Sequence, residues 1–260
     1  MGIDLPLLWA IIILFGVFMY VVLDGFDLGI GILFPFFPDK TDRDVMMNTV
    51  APVWDGNETW LVLGGAGLLA AFPLAYSVIL DAFMLPLIFM LLGLVFRGVA
   101  FEFRFKASER RRHWWDKGFI AGSICAAFFQ GVTLGGFIDG VHVVERTYSG
   151  GALEWLKPFS VFTGIGLVIA YALSHPEIAD GWFAVPNLFY FMPVPVLVLL
   201  ATWATWRQLG QQPHAGPFLL TLCLVFLGYS GLGISVWPYI IPPDITIWDA
   251  AAPPQSQGFA

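Results

Sequence analysis

Apolar residues in this chain fall into long unbroken blocks, with no short period. Positions 5–23 and 217–243 carry no charge at all, and 156–169 is nearly as clean. A hydrocarbon core about 30 Å thick is crossed by roughly 20 helical residues, so blocks of this size predict transmembrane helices. The pattern places spans at about 6–33, 59–72, 76–101, 118–138, 185–206 and 217–237. A further span begins near Pro158 and is still apolar at Leu173 before the sequence turns polar at 174–181. Loops are expected over 37–50, 104–117 and 139–157, with a Pro-rich tail at the end. The first block runs into Asp24-Gly-Phe-Asp27 with no basic leader and no small-residue cleavage site, so it reads as a retained span and not as a signal peptide. The expected architecture is all-α: a polytopic transmembrane helix bundle of about seven spans, with an N-terminal part over 1–173 and a C-terminal part over 174–260.

Composition agrees. Hydrophobic residues make up 58% of the chain and charged residues 12%, against about 25% charged in a typical soluble domain. The formal net charge of −7 selects no partner. Positive charge is concentrated at Arg104, Lys106, Arg110, Arg111, Arg112 and Lys117. Beside a membrane span this is the signature of a cytoplasmic loop, and no nucleic-acid partner is expected. Fixing that loop inside places the N-terminus and 139–157 outside and 37–58 inside. Cys125 and Cys223 lie in apolar segments and read as small core residues. Small residues recur four apart at Gly25/Gly29, Gly131/Gly135 and Gly136/Gly140, a spacing that lets membrane helices approach closely. Trp9, Trp54, Trp60, Trp155, Trp182, Trp206 and Trp237 fall near span ends, as an interfacial aromatic belt does.

The polar exceptions carry the chemistry. Asp24 and Asp27 stand three apart on the first span and therefore on one helical face. A carboxylate in lipid is costly and normally faces a bundle interior, often on an ion or proton route; capping a short helix is the plainer alternative. Asp55 and Glu58 repeat the spacing beside the second span, where Asp55 could be an N-cap. Arg97 lies near the inner end of the third span and needs a carboxylate; Asp55 is the expected partner. Asp81, near the outer face, suggests no role. His113, His142, His175 and His214 all fall in loops or at span edges, and Met84 and Met90 read as packing residues. A haem-binding bundle offers axial ligands from its helices, so no haem or metal is expected to be ligated by this chain. Gly64-Gly65-Ala66-Gly67 lies on a membrane helix and is not read as a phosphate cradle.

Asp24-Gly-Phe-Asp-Leu-Gly29 together with Asn48-Thr-Val-Ala-Pro-Val-Trp-Asp-Gly-Asn-Glu-Thr-Trp60 closely resembles subunit II of cytochrome bd-type ubiquinol oxidases. Leu94-Val-Phe-Arg-Gly-Val-Ala-Phe-Glu102, the Arg-rich segment into Trp114-Trp115-Asp116, and Trp237-Pro-Tyr-Ile-Ile-Pro-Pro-Asp-Ile-Thr-Ile-Trp-Asp249 extend the likeness through the chain. Asn57-Glu58-Thr59 is closer to the cyanide-insensitive branch. The resemblance implies a respiratory complex of the bacterial inner membrane that oxidises ubiquinol and reduces dioxygen, taking protons from the cytoplasm. Haem b and haem d belong to a partner, subunit I. Subunit II carries no haem, and a small accessory membrane subunit and a bound ubiquinone occur in some members. Asp27 and Asp55 match acids of the proton-entry route, and Trp54 and Arg97 match residues around it. Asp24 and Glu58 join them by helical spacing alone.

The resemblance also implies about nine spans, so helices are expected to be missing at 173/174 and after 260. Two other readings stay open: a secondary transporter whose intramembrane acids bind an ion, and a purely structural assembly subunit.

Overall fold

The computed structural model describes residues 4–163, 193–208 and 215–259. The expected break at 173/174, together with His175, Trp182 and His214, lies outside them. The all-α architecture holds: helices dominate, and the only strands among the described residues belong to two short two-stranded hairpins. One compact unit comprises the chain to Ile165 together with Ile240–Ala260; the other is Gly166–Tyr239.

The first unit opens with α1 (Leu5–Leu33), started by Asp4, whose carboxylate accepts the Leu7 N–H at 3.0 Å. Then follow α2 (Lys40–Val50), α3 (Trp54–Ala71), α4 (Pro73–Lys106), α5 (Glu109–Asp139), the hairpin β1 (Val143–Val144) and β2 (Thr147–Tyr148), and α6 (Pro158–Thr163). In the second unit α7 (Pro193–Gln208) packs against α8 (Gly216–Val236). The hairpin β3 (Tyr239–Ile241) and β4 (Ile245–Thr246) and the short α9 (Pro254–Phe259) end the chain. Among the described residues α1, α4 and α5 are long and apolar enough to cross a membrane. The 18 residues of α3 are interrupted by Asp55, Asn57 and Glu58 in its first turns.

Two expected loops are helical. Residues 40–50 form α2 because Asp39 Oδ1 caps it, accepting from Thr41 N at 2.7 Å and Asp42 N at 3.4 Å. The basic segment 104–117 breaks only at Ala107 and Ser108; Arg104 and Lys106 finish α4, and Arg110 to Lys117 sit on the first turns of α5. Positive charge at the end of α4 is favourable there, opposite the helix dipole.

Helices α1, α3, α4 and α5 alternate in direction. Asp27 faces Asn57 while Gly16 faces Leu63, which sets α1 antiparallel to α3. Helices α4 and α5 touch backbone to backbone: a Cβ added at Gly93 would lie 2.7 Å from Ala126 N, and one at Gly122 would lie 2.7 Å from Arg97 N. Only glycine permits that approach, and it fixes Arg97 against α5. Pro86 withdraws one backbone donor, and α4 kinks at Phe83 (φ −114°, ψ 21°), whose ring packs on Gly136. By contrast Gly25 and Gly29 have nothing within 4 Å, so that pair packs against no helix among the described residues. Trp155 is buried with Ala82, Phe83 and Val132 and so does not join the aromatic belt. Neither cysteine is a core residue: Cys125 is half-buried and Cys223 exposed, both as free thiols.

Candidate functional site

The polar exceptions converge at one end of the first unit, where α1 finishes, α3 begins and α4 finishes. Asp24 and Asp27 are both fully buried and face the bundle. Arg97, 2% exposed, donates from Nη2 to Asp24 Oδ1 at 2.6 Å and to Glu58 Oε1. Asp27 Oδ2 accepts from the buried Asn57 Nδ2 at 2.9 Å, and the same amide reaches Leu23 O at 3.4 Å. Thus three carboxylates surround one guanidinium. Two of them bind it, and the third has a neutral amide. Asp27 Oδ1 and Arg97 Nη1 are buried with no hydrogen-bond partner among the described residues, which makes them attachment points for water.

The expected Arg97–Asp55 pair is not formed. Asp55 is exposed on the first turn of α3, while Glu58, nearly one turn further on, is the α3 residue that reaches Arg97. The helix start at Trp54 decides this: it turns Glu58 and Asn57 inward and leaves Asp55 at the rim. The ring of Trp54 packs on Gly98, 3.1 Å from a Cβ position there, and lies 5.8 Å from the Phe101 ring. Tyr20, one turn before Asp24, is buried and accepts from Gln130 Nε2 on α5.

A second charged group lies seven residues along α4, roughly 10 Å away. Arg104, 2% exposed, bonds Asp116 Oδ1 of α5 through Nε at 2.6 Å and Asp44 Oδ1 of α2 through Nη1 at 2.8 Å. Arg43 of α2 adds Asp116 Oδ2 at 3.1 Å and Phe37 O at 2.7 Å. Phe34, Met47, Val50, Ala100, Phe101 and Phe119 pack into one core. On α4 its members Ala100 and Phe101 separate the two charged groups. Asn57, Tyr20, Gln130 and the Arg104 clasp are functional neighbours that the hydropathy pattern does not mark. The spacing of Arg97 and Arg104, two helical turns on one face, was a usable signal; the partners on α2 were not, because that segment read as loop.

Of the four histidines, His113 is on the first turns of α5 and His142 bonds Glu154 beside the β1–β2 hairpin. Met84 is exposed and Met90 is packed. Among the described residues no three His, Cys, Asp or Glu side chains lie close enough to hold a metal ion.

Cytochrome bd-I ubiquinol oxidase subunit 2 of Escherichia coli (strain K12) is 35% identical over 166 residues, which is 60% of this chain and 44% of that protein. Cytochrome bd ubiquinol oxidase subunit 2 of Bacillus subtilis (strain 168) is 31% identical over 167 residues, 62% of this chain and 49% of that one. The match therefore spans about half the length of these curated relatives. A chain of the bd oxidase structure from Geobacillus thermodenitrificans superposes with a TM-score of 0.71 at 18% identity, covering 98% of this chain and 92% of that chain, and so shares the fold. The family model of cytochrome bd terminal oxidase subunit II matches residues 5–175 and 178–260, which takes in the buried acids, the arginine that joins them and the tail. A match that runs through every element of the charged end, and not through one motif, settles the family: this chain belongs to the cytochrome bd terminal oxidase subunit II family.

Proposed function

We propose that this chain is the haem-free membrane subunit of a quinol-oxidising, dioxygen-reducing oxidase. In this reading it supports a haem-bearing subunit I and contributes part of the route by which protons enter from the cytoplasm. The observation that carries the reading is the imbalance of the group among the described residues: Asp24, Asp27 and Glu58 against Arg97. Burying charge costs several kcal/mol per ion unless it is paired. A bundle gains nothing in stability from a third acid with only an amide beside it, whereas a proton route needs a group whose charge can change.

The orientation follows from the cations. Lys40, Arg43, Arg104, Lys106, Arg110, Arg111, Arg112 and Lys117 belong to α2, the end of α4 and the start of α5. The positive-inside bias supports an orientation with that end in the cytoplasm and the N-terminus outside. Asp55, exposed at the rim of the same end, is then the first acceptor. Glu58 and Asp24, both held by Arg97, come next, and Asp27 is the exchangeable site. Arg97 holds two acids in place and sets the proton affinity of the group. Trp54 packs on Gly98, next to Arg97 in the sequence. In the complex, haem b and haem d supply the electron transfer and oxygen chemistry in subunit I, and this chain acts by moving protons and by packing.

The test is Asp55→Asn in the assembled oxidase. Oxygen consumption per haem is expected to fall while the haem absorption spectrum and complex yield are kept. Unchanged turnover per haem removes Asp55 from the route. Loss of yield with unchanged turnover favours a purely structural subunit. Substrate uptake by this chain alone, without haem on purification, favours a transporter.

A further inference from the structure

The basic end of α5 continues into an apolar groove of matching length. Arg110, Trp114, Lys117, Ala121, Ile124 and Phe128 follow one another at intervals of three and four residues, and so form one stripe on the helix. Arg110, Trp114, Lys117, Ile124 and Phe128 are all exposed. A shallow, open apolar groove of about 470 Å³ lies along the stripe, lined by α5 residues from Lys117 past Ile120 and Cys125 to Phe128. From Lys117 to Phe128 the helix rises roughly 16 Å, close to half of a hydrocarbon core about 30 Å thick. An acyl chain of one leaflet has that reach.

The charges at the head of the groove are unspent. Lys40, Arg43, Arg104, Lys106 and Arg112 each have a carboxylate within 4 Å. Among the described residues Arg110, Arg111 and Lys117 have none. The Lys117 ammonium sits 4.9 Å from the centre of the Trp114 ring, a cation–π contact that steadies it at the mouth of the groove and leaves it exposed. Cations without acids, an aromatic beside them and an open apolar groove about one leaflet long together fit an anionic lipid.

We propose that this stripe of α5 is a binding site for an anionic phospholipid of the inner leaflet. The phosphate is held by Lys117 and Arg110, the glycerol region lies against Trp114, and one acyl chain fills the groove over Ile120, Ile124 and Phe128. A zwitterionic lipid offers the same chain and a compensated head group, so it binds less well.

The test uses the chain purified with the subunits that accompany it, in mild detergent and stripped of loose lipid. Phosphatidylglycerol and phosphatidylcholine are titrated separately, and native mass spectrometry reads the bound lipid. Retention of phosphatidylglycerol at concentrations where phosphatidylcholine is lost is expected. Lys117→Gln and Arg110→Gln should each lower the occupancy by about fivefold, the worth of one cation near an anionic head group. Ile124→Trp fills the groove without touching the charges and should also lower it. Lys157→Gln, at the other end of the unit where it pairs with Asp139 and Glu154, should change nothing. Equal retention of both lipids, or occupancy unchanged in Lys117→Gln and Ile124→Trp, overturns the proposal.

Discussion

Replacing Arg97 with Gln is the most revealing single perturbation of the buried group. The side chain is 2% exposed and, among the described residues, is the only cation bonded to Asp24, fully buried, and to Glu58. Removing one partner of a buried ion pair costs about 3–5 kcal/mol, because the carboxylate left behind is uncompensated. Glutamine keeps much of the volume and two donors, so the loss measures charge more than cavity. The double variant Arg97→Gln with Asp24→Asn leaves an amide pair and one fewer stranded acid; it should recover about 1–3 kcal/mol of the single-variant loss. The assay is reversible unfolding of the purified protein in mixed micelles, with the four members of the cycle compared at one pH. If Arg97→Gln stays within about 0.5 kcal/mol of the parent, as a surface substitution would, the buried group does not hold the three helices together and the argument fails.

Three further outcomes follow from the same geometry. Gly122→Ala places a Cβ 2.7 Å from Arg97 N and should cost about 1–3 kcal/mol through overpacking, whereas Gly25→Ala, with nothing within 4 Å, should be neutral in the same unfolding assay. Arg104→Gln cuts the bonds to Asp44 and Asp116 and should free α2, read as faster tryptic cleavage after Lys40 and Arg43; unchanged cleavage would mean the clasp does not hold α2. At the opposite end Glu154 is held below the usual carboxylate range, its partial burial outweighed by hydrogen bonds from His142 and Tyr148. A lowered value stabilises the fold above the unfolded carboxylate range, near pH 4, and the contribution disappears as pH falls through the folded value. The protection factor of the Ser149 N–H, bonded to His142 O at 3.0 Å and taken relative to intrinsic exchange at each pH, should therefore fall at acid pH below that range in the parent and be low already at neutral pH in Glu154→Gln.

The spans were legible because lipid solvation writes them as uninterrupted apolar blocks, and α1, α4 and α5 sit over the expected segments with longer ends. Helix α2 was not legible by hydropathy. It is polar, and its signal was the Asp39 cap, a local contact of two or three residues. Asp24 and Asp27 face inward together, as their spacing required. The partner of Arg97 was not deducible: Asp55 and Glu58 are both acids at helical spacing, and the choice between them depends on where α3 begins and how α1 lies against α4. Those are tertiary facts, set in part by the Gly93–Gly122 contact. The same holds for Tyr20 with Gln130, 110 positions apart.

The central claim is that the uncompensated acid changes its charge during turnover, and Asp27→Asn in the assembled oxidase tests it most directly. The amide keeps the shape and can still bond Asn57, but it cannot release a proton. Oxygen consumption per haem and proton uptake from the cytoplasmic side are measured on the same reconstituted vesicles. The account predicts that both fall together, several-fold, with haem content and complex yield unchanged. Parent rates of both in Asp27→Asn would contradict it.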